Sequence, residues 1–276
     1  MFEYHSHTTN SPDSRVPMAQ YCERAIAQGI REVAFTDHID HDPTVRSRGH
    51  YDYTRYRDDI AGCHAIYGEH LTILAAAEVD WNRGTAVAVA DYLVGKQFDF
   101  IIASVHWVNG EYVGERAKKH SSIETYAQYL DEVEALVTTE DFFNVIGHFD
   151  LGKRYHQTNG RIDIAHNHDQ LARIFTAMAA KGKGFDLNTS SLRNGATEPM
   201  PGPDILRFFR ACGGQHVTIG ADAHTLESFG TNIEAAVRTL EDAGWTTASH
   251  IEGGKLVQVS LARVLDETPA IVPVLV

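Results

Sequence analysis

The chain has 276 residues, of which 43% are hydrophobic, and a formal net charge of −13. Its length and apolar content suffice for one large core, either as one α/β barrel or as two modest domains. The acidic balance argues against a nucleic-acid backbone as the main partner, which would call for clustered Lys and Arg, and no stretch approaches the roughly 20 consecutive apolar residues that span a bilayer.

Taken in chain order, short β-rich runs recur at Phe2–Tyr4, Glu32–Thr36, Leu71–Val79, Phe98–Val105, Phe143–Gly147, Gly184–Leu187 and Gln215–Gly220. Helical periodicity fills the spaces between them at Pro17–Gln28, Tyr53–Tyr67, Ile123–Val137, Ile164–Ala180, Asp204–Ala211 and Ile233–Ala243, with a shorter and weaker helix at Ala86–Leu93. Helix stops stand at Gly29, Gly182 and Gly244. Strand and helix in alternation imply parallel strands joined by crossovers. Seven such units fit a closed or nearly closed α/β barrel, one short of the common eightfold form. No Pro/Ser-rich linker, repeat or low-complexity segment interrupts them, so residues 1–276 are expected to form one domain. The tail from His250 to Val276 reads as a hairpin split at Gly253-Gly254, followed by an apolar end. Met1 to His5 lacks the basic and apolar regions of a signal peptide. Cys22, Cys63 and Cys212 are odd in number and widely spaced, which suits reduced thiols. A cytoplasmic protein is therefore expected.

Sixteen His residues are many for this length, and several end a predicted strand. His5 and His7 lie two apart, so an extended chain projects both from one face. Asp222 and His224 repeat that spacing after the seventh strand. Thr36-Asp37-His38, Ala77-Glu78-Val79, Ser104-Val105-His106 and Gly147-His148-Phe149 each close an apolar run. A lone His after a strand is more often structural than a ligand, and His64, His70, His166, His168 and His250 read as exposed. The whole series is another matter. In a parallel barrel the carboxyl ends of all strands meet on one face, where active sites are built, and imidazole with carboxylate holds Zn, Mn or Fe. With Asp13, the nine side chains His5, His7, Asp13, His38, Glu78, His106, His148, Asp222 and His224 exceed the needs of one ion and suit two or three. Asp37 is expected to point away from His38. His41, in Ile39-Asp40-His41-Asp42, either touches substrate or solvates a loop.

These motifs, in this order, resemble those of the PHP (polymerase and histidinol phosphatase) superfamily over nearly the whole chain. Within it the chain is most similar to the monofunctional histidinol-phosphate phosphatases, through Asn188-Thr189-Ser190-Ser191-Leu192-Arg193 and Asp150-Leu151-Gly152-Lys153-Arg154-Tyr155. The resemblance implies a distorted seven-stranded β/α barrel with three ions at the carboxyl ends of its strands. One ion would be held by His5, His7, Glu78 and Asp222, a second by Glu78 as a bridge with His106 and His148, and a third by Asp13, His38 and His224. Some members carry His where Asp13 stands, which leaves the third position the least defined.

The chemistry implied is hydrolysis of a small phosphomonoester, L-histidinol phosphate, by a hydroxide held between two ions that share Glu78. Three divalent ions, less three carboxylates and one hydroxide, leave a local charge of about +2, which attracts a phosphate despite the acidic chain. Arg193 and Arg154 are the candidate phosphate forks, since guanidinium grips such oxygens in pairs; Lys153 is a weaker one. Asp222 and His224 are the candidates for protonating the leaving group. No Gly-x-Ser-x-Gly elbow, P-loop or nucleotide fingerprint is present. The alternatives are a PHP phosphoesterase for a sugar phosphate, nucleoside bisphosphate or phosphotyrosine, and a metal-stabilised scaffold without turnover. An amidohydrolase barrel also starts with His-x-His, but would want a bridging Lys late in the barrel, whereas here Glu78 takes the bridging role.

Overall fold

The computed structural model describes residues 1–265, apart from Arg46 and Gln157. Seven parallel strands run in chain order around one sheet: β1 (Phe2–Ser6), β2 (Glu32–Phe35), β3 (Thr72–Asp80), β4 (Phe100–Ser104), β5 (Val145–Ile146), β6 (Gly184–Asn188) and β7 (Val217–Gly220). A two-residue extension after β2, His38–Ile39, pairs in parallel with Glu78–Val79 of β3. Beyond the end of β7 the ring closes on β1: Ala223 pairs with Ser6, its N–H donating to the His5 carbonyl (3.1 Å), while the His7 N–H donates to the Ala223 carbonyl (2.8 Å). The result is a nearly closed barrel of the predicted seven strands. Almost every strand residue is buried, as expected of strands covered on both faces.

The crossovers carry helices α1 (Met18–Ala27), α2 (Tyr53–Tyr67), α3 (Ala86–Leu93), α4 (Val113–Lys119), α5 (Ser122–Thr139), α6 (His168–Ala180), the single turn α7 (Ser190–Arg193), α8 (Pro203–Ala211) and α9 (Ile233–Asp242). The predicted stops hold: Gly29, Gly182 and Gly244 all take positive φ (69°, 63° and 82°), the left-handed residue that ends a helix. Two predicted elements are shorter than expected for local reasons. β5 is cut to two residues because the Asn144 side chain accepts from the Ile101 N–H (2.8 Å) and His148 leaves the strand at φ 23°. The helix expected from Ile164 starts at His168, since Asp163 first caps a turn through the His166 N–H and the Asn167 side chain. Helix α4 carries no clear periodicity in the sequence and was not expected.

Strands β8 (Thr247–Glu252) and β9 (Lys255–Ser260) form the expected antiparallel hairpin. Gly253 and Gly254 sit at φ 57° and 75°, the pair of positive angles a tight two-residue turn requires. The apolar end expected after it lies outside the described residues. Buried apolar side chains from barrel, helices and hairpin form one continuous cluster. Among the described residues no helix is long and apolar enough to cross a membrane, and the three cysteines are unbridged.

Candidate metal centre

Closure of the barrel brings together motifs more than two hundred residues apart. Because Ser6 pairs with Ala223, the residues flanking each of them, His5 and His7 on one side and Asp222 and His224 on the other, alternate onto a common face. The register of the short extension does the same for His38, which is paired directly with Glu78. Gly220 permits the approach: a Cβ there would lie 2.3 Å from the His5 Cβ. Two of the converging residues, His148 (φ 23°) and Asp222 (φ 53°), hold left-handed backbone, the kind of local strain that surrounding structure sustains at functional sites.

Glu78 is fully buried and lies at the centre. Its Oε2 is 3.4 Å from His5 Nε2, 3.5 Å from His7 Nε2 and 3.1 Å from His38 Nδ1. Its Oε1 is 2.9 Å from His148 Nε2 and 3.4 Å from His106 Nε2. Asp222 Oδ1 stands 3.4 Å from His7 Nε2, 3.8 Å from His5 Nε2 and 3.5 Å from His224 Nδ1. Asp13 Oδ2 is 3.1 Å from His224 Nε2 and 3.5 Å from His38 Nε2. Ligands about 2.0–2.1 Å from a tetrahedral ion are about 3.3 Å from each other, and most of these separations are close to that value. His5 Nε2, His7 Nε2, His38 Nδ1 and Glu78 Oε2 are buried and have no hydrogen-bond partner. Four such atoms facing one another are costly unless a cation takes them. The residues present fit divalent metal.

The electrostatics agree. Burial alone would raise the Glu78 carboxyl, but His5, His38 and His106 outweigh it and hold it well below the usual range. Burial likewise opposes charge on Asp222, and Arg154 and His5 overcome it, so that group also stays a carboxylate. Burial, with His224 and His38, pushes His7 down to about 3, leaving the neutral imidazole a metal needs.

A second ring of groups orients the ligands. His5 Nδ1 is 2.8 Å from Asp186 Oδ2, His106 Nδ1 is 3.1 Å from Asp80 Oδ1, and His7 Nδ1 is 3.2 Å from Ser11 Oγ. Such partners fix the tautomer and ring plane. Sequence reasoning missed Asp80 and Asp186, although period-two alternation marks both: Asp80 is two residues past Glu78, and Asp186 is two before Asn188 on an inward face. Asp37 points away from the centre, accepting from the Thr8 N–H (2.6 Å) and hydroxyl (2.8 Å).

All nine expected ligands converge, but their partition is less tidy than the resemblance implies. Ligand atoms of His7, Asp13, His38 and His224 form one compact set, those of His5, His7 and Asp222 a second, and those of His5, Glu78 and His148 a third. His7 therefore reaches the outer position as well as the inner one; its ring stacks on His38 (4.3 Å) and His224 (4.2 Å).

The centre opens into a cavity of about 390 Å³ whose walls include Asp40, Trp107, Tyr112, Arg154 and Tyr155. Arg154 lies inside it, paired through Nη2 with Asp222 Oδ2. Two expected substrate contacts, Lys153 and His41, do not line this cavity, and Arg193 lines an adjoining depression. Lys153 is buried against Asp150 (2.7 Å), Glu198 (2.9 Å) and the Pro199 carbonyl (2.8 Å), a structural knot that turns it away from the cavity. His41 packs its ring on Tyr92 at 5.0 Å instead of facing the chamber. Arg193 donates to the Asp222 carbonyl and the Thr231 hydroxyl (both 3.1 Å) and, with Asp222 and His224, lines a depression next to the cavity.

A family model described as the PHP domain matches residues 3–190. The chain is 27% identical over 263 residues to a histidinol-phosphatase of Lactococcus lactis, covering 92% of this chain and 95% of that one. It is 26% identical over 252 residues to a probable histidinol-phosphatase of Deinococcus radiodurans, covering 88% and 91%. A crystal structure of the Lactococcus lactis histidinol phosphate phosphatase, complexed with Zn, L-histidinol and phosphate, superposes with a TM-score of 0.80 at 25% identity over 93% of this chain and 98% of that one.

Proposed function

Because this chain belongs to the PHP domain family, we propose that its metal centre hydrolyses the phosphomonoester L-histidinol phosphate to L-histidinol and phosphate. The observation that carries the reaction class is Glu78, which offers one carboxylate oxygen to His5, His7 and His38 and the other to His106 and His148. A scaffold needs one satisfied ion; a carboxylate shared between two His sets is the arrangement of a hydrolytic multi-ion site. The substrate follows from the names of the relatives and of the solved complex.

In this reading His5, His7, Glu78 and Asp222 hold one ion, Glu78, His106 and His148 a second, and Asp13, His38 and His224 a third, with Zn, Mn or Fe as occupants. Bound there, the ions would supply the attacking water at neutral pH and positive charge for the phosphoryl oxygens. The chain's own residues do the rest. Arg154 lines the cavity and is anchored to Asp222 by one nitrogen, which places its guanidinium to receive phosphate oxygens there. Arg193 pins the carbonyl of the left-handed Asp222. Asp222, held as a carboxylate, serves as a ligand and acceptor, and His224 has both ring nitrogens turned to carboxylates. Both fit ligand roles better than delivery of a proton to the leaving oxygen.

The test is steady-state phosphate release by the Mn²⁺- or Zn²⁺-loaded protein from L-histidinol phosphate, a sugar phosphate, a nucleoside bisphosphate and phosphotyrosine. Histidinol phosphate should have the highest kcat/KM. If another ester exceeds it, the substrate assignment fails and the hydrolase class stands; if none is hydrolysed, both fail.

A further inference from the structure

Most buried acids around the centre are already engaged. Asp186 and Asp80 hold His5 and His106, Asp37 holds Thr8, and Asp42 accepts from the Thr44 N–H (2.8 Å). Asp40 differs. It lines the cavity and is only 8% exposed, yet among the described residues no hydrogen bond or ion pair reaches its carboxylate.

Local geometry explains where it points. His38 and Ile39 form an extended segment paired with Glu78 and Val79, so residues two apart project to one face. His38 uses that face to meet Glu78, and Asp40 follows roughly 7 Å further along it, twice the rise per strand residue. The carboxylate thus stands in the same chamber as the ligand cluster but one step outside it. Among the described residues, His38 and His41 feel the charge of Asp40, but no cationic group reaches it with a hydrogen bond or ion pair. His38 faces Glu78 and Asp13, Arg154 is tied to Asp222, and the His41 ring lies on Tyr92. A substrate that closed the chamber would strand this carboxylate without water or partner, which is costly unless the substrate brings a positive donor.

We propose that Asp40 binds the ammonium group of the leaving alcohol, so that the cavity selects phosphomonoesters of amino alcohols. This rests on the phosphomonoesterase reading above and names the part of the substrate that reading leaves open. L-Histidinol phosphate carries an ammonium on the carbon next to its ester methylene. Its two charges are then sorted along the cavity, with the phosphate on the ligand cluster and Arg154 and the ammonium on Asp40. An ester with a neutral or acidic alcohol gains nothing from Asp40 and leaves it unpaired, which is discrimination by an uncompensated charge.

The experiment compares kcat/KM for L-histidinol phosphate with that for its desamino counterpart, 3-(imidazol-4-yl)propyl phosphate, in the metal-loaded wild-type, Asp40→Asn and Asp40→Glu proteins. A charge-assisted contact gives a wild-type preference for the amine of about ten- to a hundred-fold. Asp40→Asn should bring that ratio near one, mainly through KM, and Asp40→Glu should restore part of it. Metal content measured on the same samples should be unchanged. A ratio near one in the wild type, a ratio unmoved by Asp40→Asn, or an ion lost with the carboxylate would each overturn the proposal. Should histidinol phosphate prove a poor substrate, the function proposed above fails by itself. The same ratio taken between 2-aminoethyl phosphate and ethyl phosphate then still decides the role of Asp40.

Discussion

Asp186 and Asp80 touch no cavity, yet they set the ring planes of His5 and His106 at 2.8 and 3.1 Å. Asp186→Asn keeps the shape and a hydrogen bond but removes the charge that favours the right tautomer. It should weaken metal binding about 10- to 100-fold, as read by metal titration; unchanged affinity would mean that the pair is only a packing contact. Protonation is the second lever at this scale. Burial works against charge on His38, yet Glu78, Asp13 and Asp40 carry it up to about 9, and His5 and His106 are likewise raised by their carboxylates. Below those values the metal-free rings hold protons that an ion must displace. Binding of Mn²⁺ or Zn²⁺ near neutral pH should therefore release protons, and affinity should rise with pH towards about 9. Calorimetry in buffers of different ionisation enthalpy checks this; an affinity flat between about pH 6 and pH 8 would contradict it.

At the scale of the element, the metal centre is a consequence of register. The pairings Ser6 with Ala223 and His38 with Glu78 put four separate motifs on one face, and Gly220 lets β7 come close enough to β1 to do so. Gly220→Ala would drive a methyl into His5 Cβ and the His5 backbone. It should cost about 1–3 kcal/mol by overpacking and lower metal affinity together with thermal stability. A variant that lost stability but bound metal as well as the wild type would separate the two effects and refute the link. The strand-end motifs were legible in the sequence because alternation in strands is strict: the seven strands, most helices and the nine converging His and carboxylate side chains could be read from it. What escaped reading depends on chain paths outside strands. Lys153 and His41 sit on turns, where no periodicity tells which way a side chain faces. Arg193 ends a single helical turn that sets it in a depression beside Asp222 and His224, next to the cavity. The grouping of ligands around His7 depends on sub-ångström geometry that spacing does not encode.

At the scale of the molecule, an acidic chain of net charge −13 presents an anion site because the cations it gathers outweigh its local carboxylates. The same clustering makes the folded state dependent on them. Orphaned buried atoms on His5, His7, His38 and Glu78 are the ones an ion would take up, and an ion at a hundred times its dissociation constant adds about 2.7 kcal/mol to stability. Chelation should lower the unfolding temperature, and added Mn²⁺ or Zn²⁺ should restore it. A transition that does not move would show that the centre is not loaded in the folded protein. Whether several ions joined through Glu78 carry out phosphoester hydrolysis is decided by titrating metal into the metal-free protein while following phosphate release from L-histidinol phosphate. No turnover is expected without metal and full turnover only beyond one equivalent, with Glu78→Gln inactive throughout. Turnover without metal, or complete at a single equivalent, would rule out a shared multi-ion centre.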